Sequence, residues 1–318
     1  MTIPVIIDCD PGIDDVMALT LAFAHSELEI KLITTEPGNQ TQEKTISNAL
    51  AFTSYMKQDI EIARGLDKPF FRQLEIADEV HGENGLGDVQ FPEPTIQLSN
   101  RTAIEAMKEI LLSSDEQIVV IATGPLTNIG ALLLAHPEVK SKIKYISYMG
   151  GAAVGGNMTP TAEFNVYVDP HAADIVFRSG IPIIMSGLDV THKAYVTQEE
   201  LNLIEAIGTD FAHKVVRMLR FYIHSAKQTA FHSPEFESRI RLHDLCAVSY
   251  VLTPELFEGD DCHVAVELAG NLTAGTTVVD YEQRTGLPHN VKVLHTVDRE
   301  KFVKQFLNAV QKMSFQIG

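Results

Sequence analysis

Short apolar runs recur along the first two thirds of the chain, each followed by a stretch in which apolar residues return every three or four positions. The runs at 3–8, 29–35, 60–63, 117–123, 143–149 and 181–187 are too short for helices and rich in β-branched residues, so they read as strands. The segments 14–25, 40–57, 101–113, 126–135 and 169–179 carry the helical period. Strands without polar alternation are buried on both faces, and strands that alternate with helices build parallel sheets. The pattern therefore predicts an α/β fold with an open, mostly parallel, Rossmann-like central sheet flanked by helices. Beyond residue 190 the rhythm changes. Helices are expected over 197–206, 208–228 and 242–252. Strands follow at 263–269, 275–282 and 290–297, two of them joined by "GNLTAG" as a hairpin, and then a last helix at 298–313. This tail predicts a small C-terminal antiparallel element. No repeat, low-complexity tract or long linker interrupts the chain, so residues 1–318 read as one domain.

Polar residues stand out against this pattern at one end of the strands. Asp8, Asp10, Asp14 and Asp15 ("DCDPGIDD") follow the first strand, and Asn39 ("EPGNQ") follows the second. Thr123 ("ATGPLTN") follows the fourth, "MGG" (149–151) the fifth and "SGLDVTH" (186–192) the sixth. All lie at carboxyl ends, which is where open parallel sheets bind ligands. Polar residues placed without a function would fall at both ends.

Charge narrows the choice of ligand. The net charge is −17, which argues against a nucleic-acid partner and against an anionic membrane surface. No apolar stretch approaches the length of a spanning helix. The three cysteines, Cys9, Cys246 and Cys262, are scattered and form no CxxC pair, as expected for a reducing compartment. The N-terminus carries no basic region before its apolar run, so no export signal is read there and a cytoplasmic location is expected.

Four carboxylates in eight residues repel one another, and carboxylates sharing a site cannot all ionise cheaply. Asp14 and Asp15 alone could be ordinary first-turn residues of a helix. Asp8 and Asp10, two apart and so on one face of a strand end, are not explained that way. A hard divalent cation explains them, because carboxylate oxygens fill its coordination shell. An EF-hand loop starting at Asp8 would need Gly where Ile13 stands and Glu where Leu19 stands. No His or Cys pair offers zinc spacing. Oxygen donors favour Ca²⁺ or Mg²⁺, and a roomy mixed cluster leans to Ca²⁺. Metal-assisted hydrolysis is the generic reading. A metal-dependent aspartyl phosphatase, with Asp8 as nucleophile and Asp10 as acid, is the alternative, although the paired Lys and second acidic motif of that chemistry are not evident. A non-catalytic Ca²⁺- or ribose-binding protein is a further rival.

"DCDPGIDD", "GNQT" (38–41), "ATGPLTNI" (122–129), "YMGG" (148–151), "GNMTPTAEFNVYVDPHAA" (156–173) and "LHDLCA" (242–247) together resemble the inosine–uridine-preferring nucleoside hydrolase family. The tail "HVAVELAGNLTAGTTVVDY" (263–281) with "GLPHNVKV" (286–293) resembles its bacterial non-specific ribonucleoside hydrolases. The resemblance implies hydrolysis of the N-glycosidic bond of a small-molecule ribonucleoside to free base and ribose, in nucleoside catabolism or salvage. It implies one bound Ca²⁺ held by Asp10, Asp15, the Thr123 carbonyl and Asp244, with Asp10 activating a water on that ion. Asp14, Asn39, Asn157, Glu163 and Asn165 would hold ribose hydroxyls, with Met149 nearby, and Asp8 would support the loop. A homodimer or homotetramer is implied as well. Breaking the bond develops oxocarbenium character, which carboxylates and amide oxygens facing the sugar stabilise.

The leaving base needs a proton or a hydrogen bond. His243, beside Asp244, is the first candidate and His81 the second. His81 lies in the glycine-rich "VHGENGLGD", read as a lid over the substrate. Glu163 and Asn165 are two apart, as on one face of a strand. Segment 220–236 reads as base-facing, with His224, Gln228, Phe231 and His232 as candidates. The chain has no Trp, whereas purine-only relatives sandwich the base between tryptophans. Broad specificity, including inosine and uridine, is expected.

Overall fold

The structure is a computed structural model that describes residues 2–226 and 239–318. Among the described residues, nine strands form the central sheet. In chain order they are β1 (Ile3–Cys9), β2 (Leu28–Thr35), β3 (Ile62–Arg64), β4 (Ile118–Ala122), β5 (Ile143–Met149), β6 (Ile183–Ser186), β9 (Phe257–Val266), β10 (Thr277–Asp280) and β11 (Val291–Val297). Their spatial order is β10-β9-β11-β6-β5-β4-β1-β2-β3. From β3 through β11 the neighbours are parallel, while β9 pairs antiparallel with both β11 and β10. The α/β class, the mostly parallel sheet and the antiparallel tail match the expectation. A separate two-stranded ladder joins β7 (Tyr195–Val196) to β8 (Ile240–Arg241).

Apolar side chains alternate between two cores. On β1, Val5, Ile7 and Cys9 face one core and Ile6 the other, as a two-residue period requires. The first core is closed by α1 (Ile13–Ala24), α10 (Asp210–Ala226), α11 (Leu245–Leu252) and α12 (Arg299–Ile317). The second is closed by α4 (Ala103–Ser113), α5 (Thr127–Ala135) and α7 (Pro170–Phe177). Every residue of α1 is buried, because it runs between the sheet and the α11 and α12 helices. Its sequence, apolar on all sides, is what such a position needs. Beyond Asp14 and Asp15 in its first turn, the one polar residue, Thr20, returns its hydroxyl to the Val16 carbonyl at 2.7 Å.

Strand β1 has β2 on one side and β4 on the other, so the chain order reverses beside it. At such a switch point the loops leaving neighbouring strands part to opposite faces of the sheet and open a crevice at their carboxyl ends. The residues placed there are those after Cys9 and after Ala122. The strand expected at 263–269 starts earlier, at Phe257, because Glu258–Cys262 pair with β11 despite three acidic side chains in that stretch. One edge of that segment is covered and its acidic residues face outward, so polarity hid a strand.

Candidate active site

The "DCDPGIDD" motif is the turn from β1 into α1. Asp10, Pro11 and Gly12 form the turn, and Asp14 and Asp15 sit in the first helical turn. Asp15 does serve as a helix-start residue, accepting the Gly12 N–H at 2.9 Å. It does more, for Asn39 Nδ2 and Thr123 Oγ1 also donate to it, each at 2.8 Å. Asp10 is fully buried, with Oδ2 accepting the Asn39 N–H at 2.6 Å. The chain crowds around it: a Cβ on Gly38 would lie 2.2 Å from Asp10 Oδ2, and one on Gly124 2.8 Å from Oδ1. Glycine is needed at both places for this close approach. Asp244, at the start of α11, completes the cluster. One oxygen each from Asp14, Asp15 and Asp244 lie within 4.8 Å of one another. The trio therefore pairs Asp14, read from sequence as a ribose contact, with two of the expected metal ligands, while Asp10 sits just outside it.

These carboxylates are not electrostatically complete. Asp10 Oδ1, Asp14 Oδ1 and Asp244 Oδ2 are buried and lack hydrogen-bond partners. Burial, aided by the neighbouring aspartates, pushes Asp10 and Asp244 well above the usual carboxylate range and Asp14 up to about 7. Orphaned hard oxygen donors converging in one place fit a divalent cation of the calcium or magnesium type. No histidine or cysteine belongs to the trio, so zinc is a poor match.

Asp8 is different. Its side chain faces away from Cys9, where Thr34 Oγ1 at 2.5 Å and Asn128 Nδ2 at 2.9 Å donate to it. Burial raises it to about 6. Asn128 also donates to the Thr35 carbonyl, and its Oδ1 accepts the Leu66 N–H at 2.8 Å. Asp8 thus joins β1, β2 and α5 underneath the site, as a supporting residue does. Glu36, at the end of β2, is buried beside it and raised by burial and by Asp8 and Asp10. The sequence reading passed over Glu36, since a lone acid after a strand looks like a loop residue.

Above the carboxylates opens a cavity of about 500 Å³. Asp14, Asn39, Thr123, Met149, Asn157, Glu163, Asn165 and Asp244 line it, so the proposed ribose set is brought together. Asp10 and Asp15 lie buried beneath it. Asn165 Nδ2 donates to the carbonyls of Thr123 at 2.8 Å and Met149 at 3.1 Å, joining the ends of β4 and β5. Asn157 Oδ1 accepts the Phe164 N–H at 2.8 Å. Glu163 and Asn165 do not sit on a strand. They start the short helix α6 (Phe164–Val168), where Glu163 Oε2 accepts the N–H groups of Gly151 and Val166. A carboxylate at a helix N-terminus satisfies orphan donors. That local bonding overrides the two-residue spacing, and both side chains still reach the cavity.

His81, Tyr222, Arg239, Arg241 and His243 line the cavity as well. His81 Nδ1 accepts the Ile13 N–H at 3.0 Å, which places the proton of the neutral ring on Nε2. Burial lowers its pKa to about 3, so the ring is neutral near pH 7. The glycine-rich stretch after it turns at Gly82, Gly85 and Gly87, all with positive φ, and packs on Phe221 so closely that a Cβ on Gly82 or Gly87 would meet that ring within 3 Å. His243 Nδ1 lies 2.8 Å from Thr191 Oγ1, and burial with nearby His192 and Arg241 lowers its pKa well below the ordinary value. Tyr222, whose ring sits 5.5 Å from that of His81, was missed although it lies within the segment read as base-facing. Its spacing on α10 matched the buried face of an ordinary amphipathic helix. His224, further along α10, is exposed and is not among the lining residues. Gln228, Phe231 and His232 lie outside the described residues.

The family model for inosine-uridine preferring nucleoside hydrolases matches residues 5–304. The chain is 46% identical over 313 residues to a pyrimidine-specific ribonucleoside hydrolase RihA of Shewanella sp. (strain MR-7), covering 98% of this chain and 96% of that protein. It is 44% identical over 319 residues to a protein of the same name from Enterobacter sp. (strain 638), covering 99% of this chain and 100% of the relative. Among solved structures, a purine-preferring ribonucleoside hydrolase from Gardnerella vaginalis superposes with a TM-score of 0.91 at 31% identity, over 98% of this chain and 99% of that one.

Proposed function

Because the chain belongs to the inosine-uridine preferring nucleoside hydrolase family and is an N-ribosyl hydrolase, we propose that it cleaves pyrimidine ribonucleosides, uridine and cytidine foremost, at the cavity above Asp10. The observation that carries this reading is the polarity of that cavity. Unpartnered carboxylate oxygens lie beside two neutral histidines, His81 with Nε2 4.0 Å from Asp14 Oδ1 and His243 next to Asp244 in the chain. Carboxylates serve a ribosyl group that becomes cationic, and histidine donors serve a base that becomes anionic.

Asp10, Asp15, the Thr123 carbonyl and Asp244 would hold a calcium ion, and Asp14 is close enough to share it. When bound, such an ion supplies a positive charge that aligns the sugar diol and acidifies the attacking water. Asp10 Oδ1, which has no protein partner, takes the proton of that water. The water oxygen bonds to the anomeric carbon while the glycosidic bond breaks and its electron pair leaves with the base. Asp14, Asn39, Asn157, Glu163 and Asn165 hold the ribose hydroxyls, and holding them fixes the anomeric carbon over Asp10. Asn165 is itself tied to Thr123 and Met149, so the sugar pocket moves as one unit with the strand ends. His243 offers a hydrogen bond to the departing base, and His81, with its proton on Nε2, offers a fixed donor near Asp14.

Pyrimidine preference is drawn from relatives whose names carry that specificity at 46% identity. The broader range, with inosine as a substrate, is favoured by the purine-preferring structure of the same fold. Release of reducing sugar from uridine, cytidine, inosine and adenosine decides between them. Turnover of the two pyrimidines at least tenfold above that of inosine is expected, and comparable inosine turnover would favour the broad reading. Phosphate release from 4-nitrophenyl phosphate without sugar release from any nucleoside would overturn both and revive the phosphatase alternative. We further infer a homo-oligomer in the cytoplasm. Among the described residues no helix is long and apolar enough to cross a membrane.

A further inference from the structure

His243 is reached from two directions, and both are rigid. Just before it in the chain, Leu242 donates its N–H to the Ala194 carbonyl at 2.9 Å, holding the end of β8 against the segment that follows Thr191. Facing the ring is Thr191, the last residue of the short helix α8 (Leu188–Thr191). That helix is seated on the glycine turn after β5: Leu188 donates to the Gly151 carbonyl at 2.9 Å, and Asp189 Oδ2 accepts the Ala153 N–H at 2.7 Å. A Cβ on Gly187 would lie 2.8 Å from the Gly151 carbonyl oxygen, so the approach is as close as the backbone allows. Thr191 itself is fully buried, and its hydroxyl lies 2.8 Å from His243 Nδ1.

A threonine at the end of a helix commonly turns its hydroxyl back to the carbonyl four residues earlier. Here the hydroxyl instead meets an imidazole that lines the cavity. Which ring nitrogen of a neutral histidine bears the proton is set by the partner of the other nitrogen. A hydroxyl can donate or accept, but a neutral ring serves a departing base only when its proton lies on Nε2, since Nδ1 is occupied. We propose that Thr191 is a positioning residue of the leaving-group step: its hydroxyl donates to His243 Nδ1 and holds the ring as the tautomer whose Nε2–H is presented to the departing base. This rests on the reading of His243 as the residue that serves the base. It extends that reading to a residue that touches no substrate and that stands two strands away from the "LHDLCA" motif.

The same arrangement explains why two histidines can share one wall without duplicating each other. His81 has its tautomer set by a backbone N–H, which only donates. His243 has its tautomer set by a side-chain hydroxyl, so a substitution at Thr191 can change it, whereas no side-chain change removes the donor to His81.

The experiment compares Thr191→Val, Thr191→Ser and His243→Ala on uridine and on 4-nitrophenyl β-D-riboside, whose phenolate leaves without needing a donor. Thr191→Val should lower kcat on uridine about ten- to hundredfold, less than the full loss of an acid catalyst, with KM nearly unchanged. Turnover of the nitrophenyl riboside should stay within about twofold. Thr191→Ser, which keeps the hydroxyl, should recover most of the uridine rate. His243→Ala should show the same leaving-group selectivity, more strongly. Equal losses on both substrates in Thr191→Val, or no rescue by serine, would overturn the positioning role while leaving His243 in place. Unchanged uridine turnover in His243→Ala would overturn the parent reading and this inference with it. Should Thr191→Val fail to fold, the ring-nitrogen NMR shifts of His243 in the unaltered protein decide: protonated Nε2 supports the inference, and protonated Nδ1 overturns it.

Discussion

Two sets of groups wall the cavity, the carboxylates and the histidines, and they solve the same physical problem in opposite ways. Both bury titratable groups, and burial opposes the charged form of each. Among the carboxylates this drives pKa values up, to about 7 for Asp14 and well above the usual carboxylate range for Asp10 and Asp244. Among the histidines it drives them down, to about 3 for His81 and well below the ordinary value for His243. The histidines pay little for this, because a neutral imidazole is stable when one nitrogen is bonded, and Ile13 and Thr191 provide those bonds. The carboxylates are left with bare oxygens. One wall is therefore finished by the protein alone, whereas the other is finished only when something positive arrives. An N-glycosidic hydrolase needs both kinds of group, since positive charge develops on the ribose and negative charge on the leaving base.

The largest effect should come from removing whatever completes the carboxylate wall. Chelation with EDTA is expected to abolish sugar release from uridine and to lower Tm, with calcium restoring both. A ligand at a hundred times its Kd adds about 2.7 kcal/mol of stability, so the shift should be easily seen by calorimetry. An unchanged Tm and full activity after exhaustive chelation would remove the metal from the reading. Asp10→Asn should come next, lowering kcat by about 10²–10⁴-fold while circular dichroism stays native. Undiminished turnover would show that another group takes the proton.

Gly38→Ala tests the wall without changing any charge. The added methyl would fall 2.2 Å from Asp10 Oδ2, and such overpacking typically costs about 1–3 kcal/mol. Turnover should drop well beyond what the loss of Tm explains, and wild-type kinetics would mean the turn can relax away from Asp10. The pH dependence of the metal-free protein gives a smaller signal with a definite sign. Asp8 and Asp14 have folded values of about 6 and about 7 against an ordinary 3.8. Between those limits the native state holds protons that the unfolded chain has released, so stability falls as pH rises and levels off above the folded values. Denaturant titrations of EDTA-treated protein from pH 4 to 8 should show this slope, and calcium should flatten it. A rise in stability over that range would mean the cluster is not buried as described. The smallest change is expected on the histidine wall. Since His81 stays neutral, its ring should not titrate by NMR between pH 5.5 and 8, whereas ordinary titration near 6.5 would break the contrast between the walls.

Much of this was legible in the chain. Apolar runs separated by amphipathic stretches locate the parallel strands and their helices to within a few residues, because a doubly covered sheet demands uninterrupted apolar strands. The acidic stretch of β9 and the start of α6 were misread, since in both places bonding to a neighbour outweighed the local pattern. One-sided polarity at strand ends points to the crevice, and "DCDPGIDD" marks its acidic side. The histidine wall was legible only in part. His81 and His243 stood in motifs, but Tyr222 looked like an ordinary core residue of α10, and Thr191 stood in "SGLDVTH" with nothing to connect it to a histidine fifty residues on.

Sequence by itself determined the order of strands and helices, the concentration of acid after β1 and the supply of hydroxyl, amide and imidazole groups. These follow from hydrophobic periodicity and residue chemistry, which are local. Only the tertiary structure decided which groups share a site. It brought Asp244 to within 4.8 Å of Asp14 and Asp15, left Asp10 one step beneath them and set Thr191 against His243. The strand order places β1 beside β4 and so opens the crevice, and a spatial order of that kind is settled by packing between elements far apart in the chain.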